Sequence, residues 1–351
     1  MPSFVIKDKE IGDGHPCLII AEMSANHAHS KSLALEIVHA AKEAGADCIK
    51  VQTYTAHTLT INCSTPNFLI NSGLWDGYNL YNLYEDAHMP WEWQAEIMQL
   101  AEKLGLLFLS TPFDFTSVDF LETLNVDFYK IASFEIVDLP LIKYIARKGK
   151  PIIMSTGMSN LSEIETAVNA IKESGNDHIC LTKCQSAYPA IPEEMNLITI
   201  PNMKKTFNTL VGLSDHSTTS ATSVAAVALG ANVVEKHFCI SRTIKNPDSK
   251  FSMEPEEFKK MVDDIRIAEK SIGTVFYNTT KGEEENKKFR KSIFVVEDIA
   301  AGETFTPQNI RVIRPGNGFP PKYYYDILGL KASRDIKKGE PLSFELLGGK
   351  D

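Results

Sequence analysis

The most constraining feature of this sequence is an alternation of short apolar runs with longer amphipathic segments, from residue 16 to about residue 270. The runs are rich in Ile, Val, Leu and Phe, as expected of parallel strands that are buried on both faces. There are eight: CLIIAE (17–22), CIKVQ (48–52), LLFLST (106–111), DFYKIA (127–132), PIIMST (151–156), HICLTK (178–183), TLVGLS (209–214) and NVVEKH (232–237). Eight strand–helix units in roughly 250 residues predict a (β/α)8 barrel.

The segments between the runs carry helix signals. Residues 30–45 and 159–175 have apolar residues at helical spacing and end at Gly45 and Gly175, a common helix terminus. The second segment is predicted to begin with a capping box formed by Ser162 and Glu165. An open doubly wound sheet is the alternative architecture, but it seldom needs eight units, and no G-x-G-x-x-G follows the first run.

One connection is abnormally long. Residues 53–90 follow the second run before the next helix begins. This stretch and the three residues after it contain several Trp and Tyr residues. Loops of this length are usually functional. Two compatible interpretations stay open: an aromatic cluster packed on the barrel rim, or a lid over the active site.

The composition changes after residue 273. Residues 1–273 form the predicted barrel domain, the polar residues 274–290 a linker, and residues 291–351 a small, mostly β domain. In the last of these, Asp298–Phe305 repeats as Asp335–Leu342 with the pattern D-I-x-x-G-E-x-[FL]. A duplicated pattern of this kind predicts two similar turns.

Charge and composition exclude two classes of partner. The chain has 36 basic and 45 acidic residues, a formal charge of −9, without a conspicuous basic run, so nucleic acid is not an expected partner. No stretch approaches the ~18–20 apolar residues of a membrane span, and the N-terminus lacks the apolar core of a signal peptide. The six cysteines form no C-x-x-C pair, which favours a reducing cytoplasm.

Polar side chains are concentrated where the predicted strands end, which is where barrel active sites are built. Histidines follow the seventh and eighth runs at matching places, His216 and His237. Two imidazoles converging on one mouth predict a divalent-metal pair with an open shell completed by water or substrate. The alternative is two separately hydrogen-bonded histidines.

Two lysines, Lys50 and Lys130, lie inside apolar runs, where a lysine is costly unless it meets an anion. With Ser133, Ser186 and Ser214 they are suited to bind a phosphate and a carboxylate. Two alternatives stay open. The lysines pair with Glu22, Glu135 or Glu235 inside the barrel, or one of them forms a Schiff base. Glu22 is accordingly a candidate acid or base, or the structural partner of a lysine.

Eight motifs occur in one order along the chain: IAEMSANH, IKVQTY, STPFD, YKIASFE, MSTGM, SAYPA, GLSDHS and VEKHF. Together they resemble the sialic acid synthase family, which condenses phosphoenolpyruvate with amino sugars. The tail, with NIRVIRPGNGFPP and DIKKGEPL, resembles the C-terminal antifreeze-like (SAF) domain of that family. The resemblance covers nearly the whole chain, and the joint occurrence is specific although each motif alone is not.

The resemblance implies a homodimer with swapped SAF domains and a divalent metal, manganese or magnesium, on His216 and His237. It implies a catalytic acidic residue at Glu22, next to the metal. The implied phosphoenolpyruvate residues are Lys50, Lys130, Ser133, Ser186 (often Asn in the family) and Ser214. The implied sugar contacts are Gln52, Glu135, Tyr188, Asp248 and, from the tail of the partner, Arg314.

The implied reaction joins C3 of phosphoenolpyruvate to the sugar aldehyde, whose oxygen the metal polarises. Water then adds at C2, with Glu22 and the metal expected to position or deprotonate it, and phosphate leaves by C–O cleavage. Lys50 and Lys130 neutralise the negative charge of phosphoenolpyruvate throughout.

Residues 73–93, GLWDGYNLYNLYEDAHMPWEW, resemble the branch of the family that uses a 6-deoxy, diacetamido sugar. An aromatic lid suits the methyl and acetamido groups of such a sugar. N-acetylneuraminate or legionaminate synthesis is the alternative within the family. A class I aldolase with Lys130 as Schiff base, and a sugar-binding barrel without activity, are the remoter alternatives, the last disfavoured by the strand-end acids and histidines.

Overall fold

A computed structural model describes residues 2–349 of the chain. The chain divides between Gly273 and Thr274 into two compact units, called here the barrel unit and the tail unit. The described residues contain no helix that is both long and apolar enough to cross a membrane. All six cysteines are free thiols.

Residues 2–273 of the barrel unit contain ten strands. They are β1 (Ser3–Ile6), β2 (Lys9–Gly12), β3 (Leu18–Glu22), β4 (Cys48–Thr53), β5 (Leu107–Pro112), β6 (Tyr129–Ile131), β7 (Ile152–Ser155), β8 (Ile179–Cys184), β9 (Leu210–Asp215) and β10 (Val233–His237). Strands β3 to β10 are parallel and close into a barrel in sequence order, with β10 beside β3. The predicted (β/α)8 barrel is therefore confirmed, and each of its strands lies within one of the eight apolar runs or extends it by one residue.

A helix follows every barrel strand. The helices of the barrel unit are α1 (Lys31–Glu43), α2 (Ala56–Leu59), α3 (Leu80–Ala87), α4 (Gln94–Lys103), α5 (Phe115–Thr123), α6 (Leu139–Ala146), α7 (Leu161–Glu173), α8 (Thr199–Phe207), α9 (Ala221–Ala228) and α10 (Pro255–Ile272). The predicted capping box of α7 is shifted: Asn160 is the N-cap, and it exchanges hydrogen bonds with Glu163. Asn160 satisfies the same free N–H groups as a serine would, two residues earlier.

The inside of the barrel changes character along its axis. Because side chains alternate along a strand, Leu18, Ile20 and Glu22 of β3 point to the same side. The first two belong to an apolar cluster formed by the early residues of the barrel strands, whereas Glu22 is a buried charged residue at the end of its strand. The same change, from Val233 to Glu235, occurs on β10. The polar layer therefore lies at the C-terminal ends of the strands.

The apolar layer is closed from below by a hairpin that the sequence patterns did not predict. Strands β1 and β2 pair antiparallel. Phe4, Ile6 and Ile11 of this hairpin are buried against the early residues of the barrel strands. Burial of these side chains closes the N-terminal end of the barrel with apolar surface, so the opposite end alone presents polar groups.

The connection from β4 to α4 is not a structureless loop, because it contains α2, α3 and two 3-10 helices, Pro66–Phe68 and Trp91–Trp93. Asn79 caps α3 by accepting from the Tyr81 N–H, and its Nδ2 donates to the Cys63 carbonyl. The Trp91 indole donates to the Tyr54 carbonyl at 3.0 Å. The last of these bonds ties the end of the connection to its beginning, and the other two join parts of its middle.

The tail unit contains α11 (Lys281–Glu284), β11 (Ser292–Val295), β12 (Ile310–Ile313) and α12 (Tyr324–Ile327), and β11 pairs antiparallel with β12. The two copies of the repeated pattern pair with each other. Ile299 and Ile336 exchange both backbone hydrogen bonds, at 2.9 and 2.8 Å. Gly302 and Gly339 occupy the same place in their copies, both at positive φ, 80° and 93°, which only glycine adopts readily. The duplication therefore builds a two-fold-like core.

Candidate active site

A cavity of about 420 Å³ opens at the C-terminal ends of the barrel strands, called here the mouth cavity. Ten of the residues predicted from the sequence line it: Lys50, Gln52, Lys130, Ser133, Glu135, Tyr188, Ser214, His216, His237 and Asp248. Glu22 and Ser186 lie directly behind this lining, in contact with residues that form it. Arg314 is exposed in the tail unit, so it is not among the residues that the barrel unit brings together.

A buried charge network forms the floor of the mouth cavity. The Lys50 ammonium lies 2.7 Å from Glu22 Oε2 and 3.0 Å from Glu235 Oε1, and all three side chains are buried. Burial opposes the charge of Lys50, but the two carboxylates raise its pKa above the ordinary value. For Glu22, burial dominates and raises the pKa. The pairing of lysine with glutamate, one of the alternatives considered above, is therefore present in the structure.

Lys130 is less well paired than Lys50. Its ammonium donates to Ser155 Oγ at 2.6 Å and to its neighbouring Ile131 carbonyl at 3.0 Å, both neutral acceptors. The Glu235 Oε2 atom is 4.0 Å away and makes no hydrogen bond to any described residue. Burial accordingly lowers the pKa of Lys130 below its ordinary value. A buried lysine in this setting is stabilised by an arriving anion.

The two predicted metal histidines are neighbours, with one ring edge toward the other. The rings of His216 and His237 are 5.4 Å apart between centroids. His216 Nδ1 lies 3.1 Å from the Gln185 carbonyl, so it carries a proton and leaves the Nε2 lone pair available. Burial, with the nearby positive charges, lowers the pKa of His237 well below its ordinary value, so its imidazole is neutral, the form that binds metals.

The donors fit an open metal site with two protein ligands. His237 Nδ1 is buried without a hydrogen-bond partner among the described residues, a state that usually has an explanation such as a bound ion. No group of three or more His, Cys, Asp or Glu side chains within residues 2–349 is arranged to hold a metal. A cation on this pair would therefore take its remaining ligands from water or substrate. Burial opposes protonation of His216, but the neighbouring Cys184 raises its pKa, so a cation there competes with a proton.

Aromatic rings hold the two histidines in place. Tyr188 stacks on His216 with a centroid distance of 4.2 Å, and Phe251 contacts His237 at 4.9 Å. Tyr188 and Phe251 also contact each other. These contacts fix the ring planes, because each histidine has an aromatic neighbour that restricts its rotation.

Two charged residues at the strand ends point away from the cavity. Lys236 Nζ lies 2.9 Å from Asp215 Oδ2, and neither is more than 1% exposed. Asp215 also accepts from Thr222 and Ser223 of α9. Asp215 and Lys236 precede His216 and His237 by one residue, so their side chains point to the opposite side of the strand. They join the barrel to a helix and contribute no group to the site.

A group of small polar side chains surrounds Gly157, which follows β7. The Gly157 N–H donates to Ser133 Oγ at 3.1 Å. The Ser186 hydroxyl lies 3.5 Å from the Cys184 thiol, which lines the cavity. Burial raises the pKa of Cys184, but His216 and the hydroxyls lower it to about 6. Two serine hydroxyls and the Lys130 ammonium therefore lie around one part of the cavity.

The predicted sugar contacts sit on other parts of the lining. Gln52 donates to Glu22 Oε1 at 3.1 Å. Asp248 Oδ2 accepts from the Ala25 N–H at 3.1 Å, and burial raises the pKa of Asp248. Glu135 Oε2 is buried and has no partner in the described part of the chain. These carboxyl groups keep hydrogen-bonding capacity for a polyhydroxylated ligand.

Sequence reasoning did not select several lining residues. The alternation of side chains along β7 and β8 could have indicated that Ser155 and Cys184 point inward. Ile153 lies two residues before Ser155 and Cys180 four residues before Cys184, and both point into the barrel. Glu235 was considered only as a partner for a lysine, and it proves to join Lys50 to the neighbourhood of Lys130. The apolar part of the lining, which comes largely from residues 54–90, had no specific signal beyond its aromatic content.

Comparison with known proteins decides the family. Residues 37–277 match the model of the NeuB family, and residues 290–347 match the SAF domain. The chain belongs to the NeuB family. The resemblance inferred from the eight motifs is thereby confirmed, including its SAF tail.

Several NeuB-family relatives are similar over most of their length. The chain is 45% identical to the pseudaminic acid synthase of Campylobacter jejuni serotype O:2, over 92% of this chain and 94% of that one. It is 44% identical to the pseudaminic acid synthase of Helicobacter pylori, over 93% and 97% of the two chains. Among solved structures, the spore coat polysaccharide biosynthesis protein SpsE of Bacillus subtilis matches with a TM-score of 0.68 and 33% identity, covering 100% of both chains.

The carboxyl group of Glu135 gives this NeuB-family site a testable pH dependence. Burial raises the pKa of Glu135 to about 7, although Lys130 opposes the shift, from an ordinary value of 4.5. The folded state therefore holds this proton more tightly than the unfolded state does. The resulting stabilisation is complete below pH 4.5 and is lost as the pH rises through 7.

We predict that Glu135→Gln removes this contribution, because the amide stays neutral at every pH. The free energy of unfolding in urea is measured for both proteins at pH 5 and pH 8. Between these pH values it should fall less in Glu135→Gln than in the unsubstituted protein. The exposed Glu165→Gln serves as the control for the substitution itself. A wild-type–variant difference that is the same at both pH values would contradict the prediction.

Proposed function

We propose that this chain is a pseudaminic acid synthase. It condenses phosphoenolpyruvate with 2,4-diacetamido-2,4,6-trideoxy-altrose, adds water and releases phosphate. The observation that carries the proposal is Lys130, a buried lysine at the cavity floor whose short hydrogen bonds go to neutral oxygens. It requires an anionic ligand, and the NeuB-family relatives at 44–45% identity are pseudaminic acid synthases.

The donor is held at the floor. Lys130 and Lys50 neutralise the phosphate and carboxylate of phosphoenolpyruvate, with hydroxyl groups of Ser133, Ser186 and Ser214 as further donors. Glu22 accepts from Lys50 and Gln52, so it positions two side chains that line the cavity. Its expected second role, to position or deprotonate the water that attacks C2, stays a prediction.

The acceptor sugar is placed between the floor and the histidine pair. A divalent cation held by His216 and His237 supplies Lewis-acid polarisation of the aldehyde oxygen when bound. Asp248, Gln52, Tyr188 and Glu135 bind hydroxyl and acetamido groups of the sugar. C3 of the donor forms a bond to the aldehyde carbon, and the aldehyde oxygen takes a proton. A water oxygen then bonds to C2, and the C2–O bond to phosphate breaks, leaving a C2 carbonyl. Of the two protons that the water gives up, one balances the proton taken by the aldehyde oxygen and the other leaves on the phosphate.

The function is tested by phosphate release from phosphoenolpyruvate with a panel of amino sugars. We predict turnover with the altrose-configured 6-deoxy sugar that exceeds turnover with its epimers and with N-acetylmannosamine by at least about tenfold, the scale of discrimination by shape in a fitted pocket. A chelator should abolish release, and added Mn²⁺ or Mg²⁺ should restore it. Borohydride trapping of Lys130 with pyruvate would instead support a Schiff-base aldolase. Phosphate release that is equal or greater with N-acetylmannosamine would contradict the substrate assignment.

Gly157 gives a second prediction, for the donor. A Cβ at this position would overlap Ser186 Oγ and lie 2.7 Å from Ser133 Oγ, so Gly157→Ala must displace both hydroxyls. We expect the KM for phosphoenolpyruvate to rise by roughly tenfold or more, the loss of one to two hydrogen bonds to a charged group, while the KM for the sugar changes little. Gly282→Ala, whose Cβ would meet nothing within 4 Å, is the matched control. Unchanged donor affinity in Gly157→Ala would remove these serines from the donor site.

We propose further that the chain works as a cytoplasmic homodimer in which the tail of each copy serves the other barrel. The supporting feature is Arg314, an exposed guanidinium between Ile313, the end of β12, and a Pro-Gly turn, suited to bind a sugar substituent. Mixing Arg314→Ala with His216→Ala chains should restore about a quarter of the activity, since half of the dimers are mixed and each has one intact site. No recovery after verified subunit exchange would mean that Arg314 serves its own barrel or no site.

A further inference from the structure

The connection from β4 to α4 reaches across the mouth of the barrel. In the closed ring of strands, β4 and β8 are separated by three strands in either direction, so they lie on opposite sides. Trp75, in this connection, contacts the ring of Tyr188, which follows β8, at a centroid distance of 5.7 Å. Its indole N–H donates to the Pro247 carbonyl, which follows β10, at 3.3 Å. The connection is therefore placed over the mouth and not along its rim.

The lining of the mouth cavity has two parts, which come from different elements and differ in polarity. The strand ends contribute the charged and hydrogen-bonding groups described above. The connection contributes a mostly apolar surface, called here the roof, which consists of Tyr54, Leu59, Ile70, Trp75, Leu80, Leu83, Tyr84 and Ala87. Three of these side chains carry a polar atom, Tyr54, Trp75 and Tyr84, and the one on Trp75 is bonded to the Pro247 carbonyl. The leucines, the isoleucine and the alanine of the roof offer a ligand only apolar contact.

The orientation of the sugar follows from the proposed function, on which this inference rests. The aldehyde carbon must meet the donor, which the lysines hold at the strand ends. The far end of the open-chain sugar, with its terminal carbon, then points away from the floor and toward the roof. Leu83 is only 7% exposed, so a group placed against it is shielded from water as well.

We propose that the roof contacts the terminal carbon of the sugar and favours a methyl group at that position over a hydroxymethyl group. A methyl group gains from burial against Leu80 and Leu83. A hydroxyl group placed against these two leucines loses its water without gaining a hydrogen bond from them. An apolar pocket discriminates against one added hydroxyl by at most about 100-fold. The roof therefore separates 6-deoxy sugars from 6-hydroxy sugars, while the polar lining distinguishes their stereochemistry.

The experiment uses two sugars that differ at one atom: 2,4-diacetamido-2,4,6-trideoxy-altrose and the same sugar with a hydroxyl on C6. The kcat/KM of each is measured by phosphate release with the full-length chain. We expect a preference of roughly 10- to 100-fold for the methyl sugar. If neither sugar releases phosphate, the proposed function fails. If both are used equally well, the proposed function stands and the roof assignment is overturned.

Matched variants locate the preference in the roof. Leu80→Asn places an amide on the roof and should reduce the preference to within about threefold, by lowering kcat/KM for the methyl sugar. Leu69→Asn is the control, since Leu69 lies in the same connection but is 40% exposed and outside the cavity lining. The KM for phosphoenolpyruvate should stay unchanged in both, which separates a local effect from misfolding. Leu80→Met should keep the preference. An equal loss of preference in Leu69→Asn and Leu80→Asn would overturn the assignment.

Discussion

The site depends on a buried network in which two lysines and two glutamates occupy the polar layer of the barrel. Lys50 lies between Glu22 and Glu235, with ammonium–oxygen distances of 2.7 and 3.0 Å. Removing water from such charges is costly unless they compensate each other, and their arrangement is therefore tightly fixed. Glu235 also faces Lys130 from 4.0 Å with one oxygen unbonded. The network is thus neutral in formal charge but incompletely bonded at Lys130, and this is where an anionic donor gains most.

The alternation of side chains along each strand separates the parts of the site. Alternate side chains point inward, so the apolar lower layer, the charged floor and the two histidines follow one another along the same strands. The residues between them, such as Asp215 and Lys236, pair on the outer side and bind α9 to the barrel. Neighbouring residues of one strand therefore serve different purposes: the inward ones form the site, and the outward ones stabilise the packing of the helix. The roof adds an apolar surface opposite the floor, from a connection that is not part of the barrel.

Much of this arrangement is predictable because it is local. The barrel strands are continuous apolar runs, and Lys50, Lys130, His216 and His237 are recognisable because each departs from such a run near its end. The hairpin β1–β2 was missed because its strands are four residues long and half exposed, which gives a weak pattern. The true cap of α7, Asn160, lies two residues before the predicted one because several capping residues compete there. The contact of Trp75 with Tyr188 and the pairing of Lys50 with two glutamates join distant parts of the chain, so no local pattern contains them.

The central claim is that the charged floor activates phosphoenolpyruvate for attack through C3, with loss of phosphate by cleavage of the C2–O bond. An isotope experiment tests this most directly. Phosphoenolpyruvate labelled with ¹⁸O in its bridging oxygen is turned over with the 6-deoxy sugar, and both products are examined by mass spectrometry and ³¹P NMR. Cleavage of the C2–O bond should place the label in the released phosphate, while the new C2 oxygen of the sugar acid comes from water. Label retained at C2 of the product would show P–O cleavage and would contradict the account.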